Sequence, residues 1–135
     1  MKKIISAVII VTVLFMACKG KSSGGGAAGS DQSTPKGVAE IIFSAARSGD
    51  YSQLKDLCDA SLEPDGDSKH ICDVSSGDDK LKTSFKEYFE KGKVVGEAVI
   101  EGDKAKIDIT FGPDGTKAET FNMAKKDGKW YMVSF

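Results

Sequence analysis

The hydrophobic period of this chain changes once, near Lys93, and that change constrains the fold more than any other feature. Before it, apolar residues recur at the spacing of helix faces: Val38, Ile41, Ile42, Ala45 and Ala46, then Leu54, Leu57 and Cys58, then Leu81, Phe85, Tyr88 and Phe89. After it, Ala105, Ile107, Ile109 and Phe111 alternate with Lys106, Asp108 and Thr110, the pattern of a half-buried antiparallel strand. Thr34-Pro35 starts the first helix and Gly49 ends it. Asp50 with Gln53 has the form of a capping box for the second, Asp78-Asp79 suits the start of the third, and Gly92 stops it. Strands are predicted over 94–101, 105–111, 117–125 and 129–135. Gly102-Asp103, Gly112-Pro113-Asp114-Gly115 and Asp127-Gly128 supply the hairpin turns. Three helices followed by a four-stranded antiparallel meander predict an α+β domain with helices on one sheet face.

The domain does not begin at residue 1. Met1-Lys2-Lys3 is a basic start, and residues 4–17 are apolar except for Ser6 and Thr12. That is the form of a secretory signal peptide. The run is shorter than the ~20 apolar residues that span a bilayer. Leu14-Phe15-Met16-Ala17-Cys18 resembles the lipobox of bacterial lipoproteins, with small Ala17 just before the cysteine. The resemblance implies that Cys18 becomes the first mature residue and carries fatty acyl chains of palmitate type. More than one such chain gives stable anchoring, at about 0.8 kcal/mol per buried methylene. The stretch from Ser22 to Ser33 is rich in Gly, Ser and Ala and reads as a flexible tether, with a reach on the order of 20 Å. The expected organisation is thus 1–17 signal peptide, 18–33 lipidated cysteine and linker, and 34–135 domain. Lys rather than Asp follows Cys18, which by family analogy favours an outer over an inner membrane where a cell has both.

Cys58 and Cys72 remain. In an exported chain they are expected to pair, closing a loop of about 15 residues worth about 3 kcal/mol in the chain-entropy model, with a pair of free buried thiols as the alternative. The enclosed stretch, with Pro64, Asp65, Gly66, Asp67 and Ser68, reads as a segment unable to order itself unaided. A metal centre from Cys58, His70 and Cys72 fits no common zinc spacing and lacks a fourth ligand. His70, the single histidine, reads as a solvated loop residue.

No metal site, cofactor or catalytic motif is expected from the sequence: it has no P-loop, dinucleotide fingerprint or nucleophile elbow. The net charge is -1, and removing Lys2 and Lys3 leaves 17 basic against 20 acidic residues, or -3. A mixed, slightly acidic surface argues against nucleic acid as a partner. Asp108, Glu97 and Glu119 lie on strands where apolar neighbours are expected to turn them away from a core. Phe111, Phe121, Trp130 and Tyr131 are the residues expected to contact a ligand, if they line a pocket rather than fill the core. Alternation sets Trp130 and Met132 on one side of the last strand and Tyr131, Val133 and Phe135 on the other. Both sides being apolar suggests either a central strand or a second buried contact, such as a homodimer across the open sheet face.

Thr34-Pro35, Ser48-Gly49-Asp50-Tyr51, Ile100-Glu101-Gly102-Asp103-Lys104-Ala105 and Lys126-Asp127-Gly128-Lys129-Trp130 together resemble the nuclear-transport-factor-2-like superfamily, also called cystatin-like in fold. Within it they are most similar to small domains of unknown function in bacterial lipoproteins. The resemblance implies a curved, cone-like sheet around the first helix, with a hollow between sheet and helices. Such hollows serve isomerases and dehydratases in some relatives and bind ligands or proteins in others. Together these readings predict a non-enzymatic lipoprotein of the cell envelope that binds a small apolar ligand or an envelope protein. An isomerase-type enzyme with a pocket carboxylate and an immunity-type interaction protein without a pocket are the alternatives.

Overall fold

A computed structural model describes residues 31–135, so the expected signal peptide, Cys18 and most of the expected linker lie outside the described residues. The chain runs α1 (Pro35–Ser48), α2 (Gly66–Asp73), α3 (Asp79–Phe89), then β1 (Lys93–Glu101), β2 (Lys104–Phe111), β3 (Lys117–Lys126) and β4 (Lys129–Ser134). Short 3₁₀ turns cover Leu54–Leu57, Ala60–Leu62 and Val74–Ser76. The four strands form one antiparallel sheet in the order β1-β2-β3-β4, the meander predicted from the turns. Among the described residues no helix is long and apolar enough to cross a membrane.

The first helix starts where Thr34 Oγ1 accepts the Gly37 N–H at 2.9 Å, with Pro35 in the first turn. It ends at Gly49, whose N–H returns to the Ala45 carbonyl. Val38, Ala39, Ile42, Phe43 and Ala46 have no exposed surface, so α1 is buried over more than one face. On one side it meets Ala105, Ile107, Ile109, Phe121, Met123 and Met132, which the register places on a single sheet face. Phe43 packs on Phe121 with centroids 6.3 Å apart and on Phe89 at 6.5 Å. Burying one such ring is worth about 2 kcal/mol.

Two expectations about the helical half are corrected. The capping box at Asp50 and Gln53 does not form. Asp50 Oδ1 instead closes a local turn on the Ser52 N–H at 3.1 Å, and Gln53 makes no side-chain cap. The predicted second helix is a single 3₁₀ turn, Leu54–Leu57, because Cys58 is already extended. Leu54 and Leu57 are nonetheless fully buried. The second correction is that the stretch between the cysteines holds α2. Asp65 caps it, accepting the Ser68 N–H at 2.8 Å, and Ile71, Cys72 and Ser68 face inward. Cys58 and Cys72 form a disulfide with Cα atoms 6.1 Å apart, which ties α2 to the end of the Leu54–Leu57 turn.

A third correction concerns β4. Met123 pairs with Met132, but Asn122 pairs with Ser134, so Val133 is an extra residue. This bulge turns Phe135 to the helix side, where it meets Phe121 at 5.2 Å, and separates it from the Tyr131 face predicted by strict alternation. The Val133 carbonyl accepts the Asp65 N–H at 2.8 Å, so the lead-in to α2 holds the bulge in place.

The disulfide closes a separation of 14 residues around a helix of eight residues, too short to persist alone. Replacing both cysteines by serine is expected to cost about 3 kcal/mol. The unfolding midpoint in urea of the oxidised wild type against the double variant checks this, and equal midpoints would remove the staple from the account.

Candidate functional site

The residues that converge on a hollow come from four elements. On α3, Leu81, Phe85, Tyr88 and Phe89 repeat at one face. On α2 and the turn after it, Asp67, His70, Ile71 and Val74 do the same. Phe111 closes β2, and the β4 bulge adds Phe135. Together they line a groove of about 360 Å³.

The groove wall is an aromatic network. Phe89 stacks on Phe111 at 5.2 Å, meets Phe85 at 5.0 Å and takes Phe135 edge-on at 6.0 Å. Tyr51 packs against the far side of Phe85 at 5.7 Å. The Gly112 N–H donates to the Tyr88 carbonyl at 2.6 Å, so the end of β2 is bonded to α3. The Lys117 ammonium lies 4.8 Å from the Phe111 ring centroid. Phe85, Phe89 and Phe111 are almost wholly buried, whereas Tyr88 is 45% exposed and Phe135 half-buried. The groove therefore has a fixed aromatic floor and an accessible rim of Tyr88, Phe135, His70 and Asp67. Its polar groups sit at the mouth. An apolar ring or branched aliphatic group fits such a lining.

A larger trough of about 850 Å³ lies against the sheet, bounded by Ser61, Leu62 and Glu63 on one side and by Val99 and Glu101 on the other. Lys104, Lys106 and Asn122 also line it, so charges of both signs are spread along it. The Ser61–Glu63 flap is pinned from β3: the Lys126 ammonium donates to Asp59 Oδ2 at 2.6 Å and to Ser61 Oγ at 2.7 Å. The Lys126 bond and the Ser61 hydroxyl and N–H hold the Asp59 carboxyl down at about 2, and Asp59 in turn raises Lys126. Because its polar groups are dispersed and one side is a surface strand, the trough is the weaker candidate; the groove draws its lining from four elements.

Of the four aromatic residues expected to contact a ligand, only Phe111 reaches the groove. Phe121 is fully buried beneath α1. Trp130 is buried at the start of β4, with the Lys125 ammonium 5.7 Å from its ring centroid. Tyr131 sits half-buried opposite Ala124 on the other sheet face. Asp108 is exposed and accepts from Thr120 Oγ1 at 2.7 Å, as its alternation predicts. Glu119, by contrast, pairs with Ile109 and so falls on the helix side, half-buried and outside the groove lining. Asp67, His70, Ile71 and Val74 were not among the expected site residues. Asp65 with Asp67, then Ile71 and Val74 three apart, was the sequence signal for the helix that carries them.

No family model matches the sequence, and no curated protein matches it. Among solved structures the chain is similar to one from Campylobacter jejuni named for a candidate NTF2-like transpeptidase. Identity is 21%, the TM-score is 0.48, and 76% of this chain and 98% of that chain are covered. At that score the likeness bears on neither activity nor substrate. The helix-then-meander order of elements stands on the structure itself.

The Asp59–Lys126 contact gives a pH signature. The folded pKa of about 2 lies below the ordinary 3.8, so the stabilisation is complete above pH 3.8 and is lost as pH falls through about 2. Asp59→Asn is expected to flatten the decline of the urea midpoint between pH 4 and pH 2. The effect is small because both side chains are partly exposed. Parallel midpoint-against-pH curves for wild type and variant would refute it.

Proposed function

We propose that the protein is an exported, Cys18-anchored lipoprotein whose domain, nuclear-transport-factor-2-like in fold, binds an apolar group of a small ligand or envelope protein in the α2–α3 groove. The observation that carries the binding reading is the groove itself: a fixed aromatic floor with its charged groups confined to the rim. The reading is non-enzymatic. Asp108 points to the opposite sheet face, and the carboxylate at the groove, Asp67, is exposed at its mouth rather than desolvated within it. A general base of the isomerase type needs that burial.

The anchoring reading rests on the lipobox resemblance and agrees with a disulfide, which persists in exported proteins. The point where the chain enters the domain supports a division of labour. The Trp130 N–H donates to the Gln32 carbonyl at 2.8 Å, and Gln32 Nε2 donates to the Asp56 carbonyl at 2.8 Å. Gln32 is thus fixed at the first residues of β4, while the groove lies beyond its last residue. Six strand residues separate the two by about 20 Å. A tether leaving at Gln32 leaves the groove free to face away from the surface that holds the lipid.

Two measurements test the two halves separately. Mass spectrometry of the mature N-terminus is expected to find an acylated Cys18; an intact Met1 would overturn the anchoring. Titration of the full chain with the apolar fluorophore anilinonaphthalene sulfonate is expected to show one saturable site. Leu81→Arg, shown folded by circular dichroism, is expected to weaken it about tenfold. Unchanged binding by that folded variant would remove the groove as the site.

A further inference from the structure

Three of the four exposed large hydrophobics among the described residues lie on one strand: Val95 is 49% exposed, Val99 59% and Ile100 55%, all on β1. β1 is an edge of the sheet. The other edge, β4, is covered by the chain itself: Trp130 bonds to Gln32, and Val133 accepts from Asp65. Among the described residues nothing comparable covers β1. The chain also enters the domain at Gln32, on the β4 side, so the tether does not begin beside it. A hydrophobic strand edge with unpaired backbone groups is a template for another strand.

We infer that β1 pairs antiparallel with β1 of a second copy of this chain, about a two-fold axis at Glu97. The argument is self-complementarity, which an isologous contact requires. Read outward from Glu97, the strand is symmetric in chemistry: Val95 mirrors Val99, Val94 mirrors Ile100, and Lys93 mirrors Glu101. In the pair each Val95 meets a Val99, each Val94 meets an Ile100, and two Lys93–Glu101 ion pairs close the ends. The faces agree as well. Val95 lies opposite Asp108 and Val99 opposite Lys106, two residues apart on β2, so both point to the outer sheet face. Val94 opposite Ile109 and Ile100 opposite Ala105 point to the helix side. The bulge between Val95 and Val99, where Gly96 takes a φ of 71°, falls at the axis and leaves two regular three-residue arms to pair. The outer sheet face, carrying Lys104, Lys106, Asp108 and Thr120 exposed or half-exposed, is a poorer apolar surface than this edge. The inference does not depend on what the groove binds.

A residue on a two-fold axis meets its own copy. In the full-length chain solubilised in mild detergent, Glu97→Cys is expected to give a covalent dimer on gentle oxidation, above the background of the wild type with its native cysteines. Thr120→Cys, central on the outer face, is expected to give none. A Thr120→Cys dimer without a Glu97→Cys dimer would place the contact face to face and overturn the proposal, as would dimers from neither. Adding Val99→Lys to Glu97→Cys is expected to abolish the cross-link. Sedimentation of otherwise native chains gives the second readout: Val99→Lys, checked for fold by circular dichroism, weakens association at least tenfold, and Glu97→Gln strengthens it by relieving two like charges at the axis. Wild-type behaviour from folded Val99→Lys would overturn the proposal.

Discussion

The fold depends on the burial of α1. α1 keeps only a narrow polar line for solvent, Lys36, Glu40, Ser44 and Arg47, while Val38, Ala39, Ile42, Phe43 and Ala46 have none of their surface exposed. One sheet face cannot cover that much of a helix. The remaining cover comes from the Leu54–Leu57 turn, with both leucines fully buried, and from α3 through Phe85 and Phe89. These are short pieces that do not persist alone. The disulfide and the bond from Asp65 to Val133 hold α2 against that turn and the edge of the sheet, and Gly112 to Tyr88 holds α3 to the end of β2. The segment between the cysteines therefore backs the turn that covers α1, and the groove is the seam where α2 and α3 meet the strand ends.

β4 links the two ends of the molecule. Its first residues carry the entering chain through Gln32, and past its bulge Phe135 joins the aromatic floor. The extra residue at Val133 decides which face Phe135 occupies. Without it Phe135 would stand with Tyr131 on the outer face, and the contacts at 5.9 Å with Phe111 and 5.2 Å with Phe121 would be lost. A local backbone irregularity thus completes the groove, a common use of bulges near strand ends.

How much of the molecule was legible depends on the range over which each signal acts. The sheet was readable because alternation and turn chemistry are local: the meander order and each hairpin turn come from neighbouring residues. α1 and α3 were readable from Thr34 as a cap, from the acidic start at Asp78-Asp79 and from their apolar spacing, and the structure makes Asp78 the N-cap of α3. α2 was not, because Pro64, Gly66 and several aspartates look like turn formers, although Asp65 is an N-cap and Pro64 precedes it. The helix is held by tertiary contacts and a disulfide that a window of eight residues does not contain. Phe135 was misplaced for a similar reason: the bulge is set by a bond to Asp65, distant in sequence. So the pairing of the cysteines could be expected, while the groove, built from these two non-local features, could not. Of the aromatics singled out, Phe111 alone occupies the seam. Phe121 and Trp130 went where large apolar side chains usually go, into the core.

The two edges of the sheet explain why a hydrophobic strand edge is tolerable in this chain. A sheet open at both edges adds copies without limit, and the result is a fibre. Here β4 is closed by Gln32, by Asp65 and by its own bulge, so each copy offers one edge among its described residues. Pairing through β1 consumes that edge in both partners and stops at two. The bulge at Gly96 limits the contact further, since only three residues on each side of it run in regular register with β2. The Glu97 side chains, brought together at the axis, oppose the valines beside them and keep the association from becoming irreversible. A short, interrupted and self-symmetric edge opposite a sealed one is the arrangement that yields a closed pair instead of a polymer.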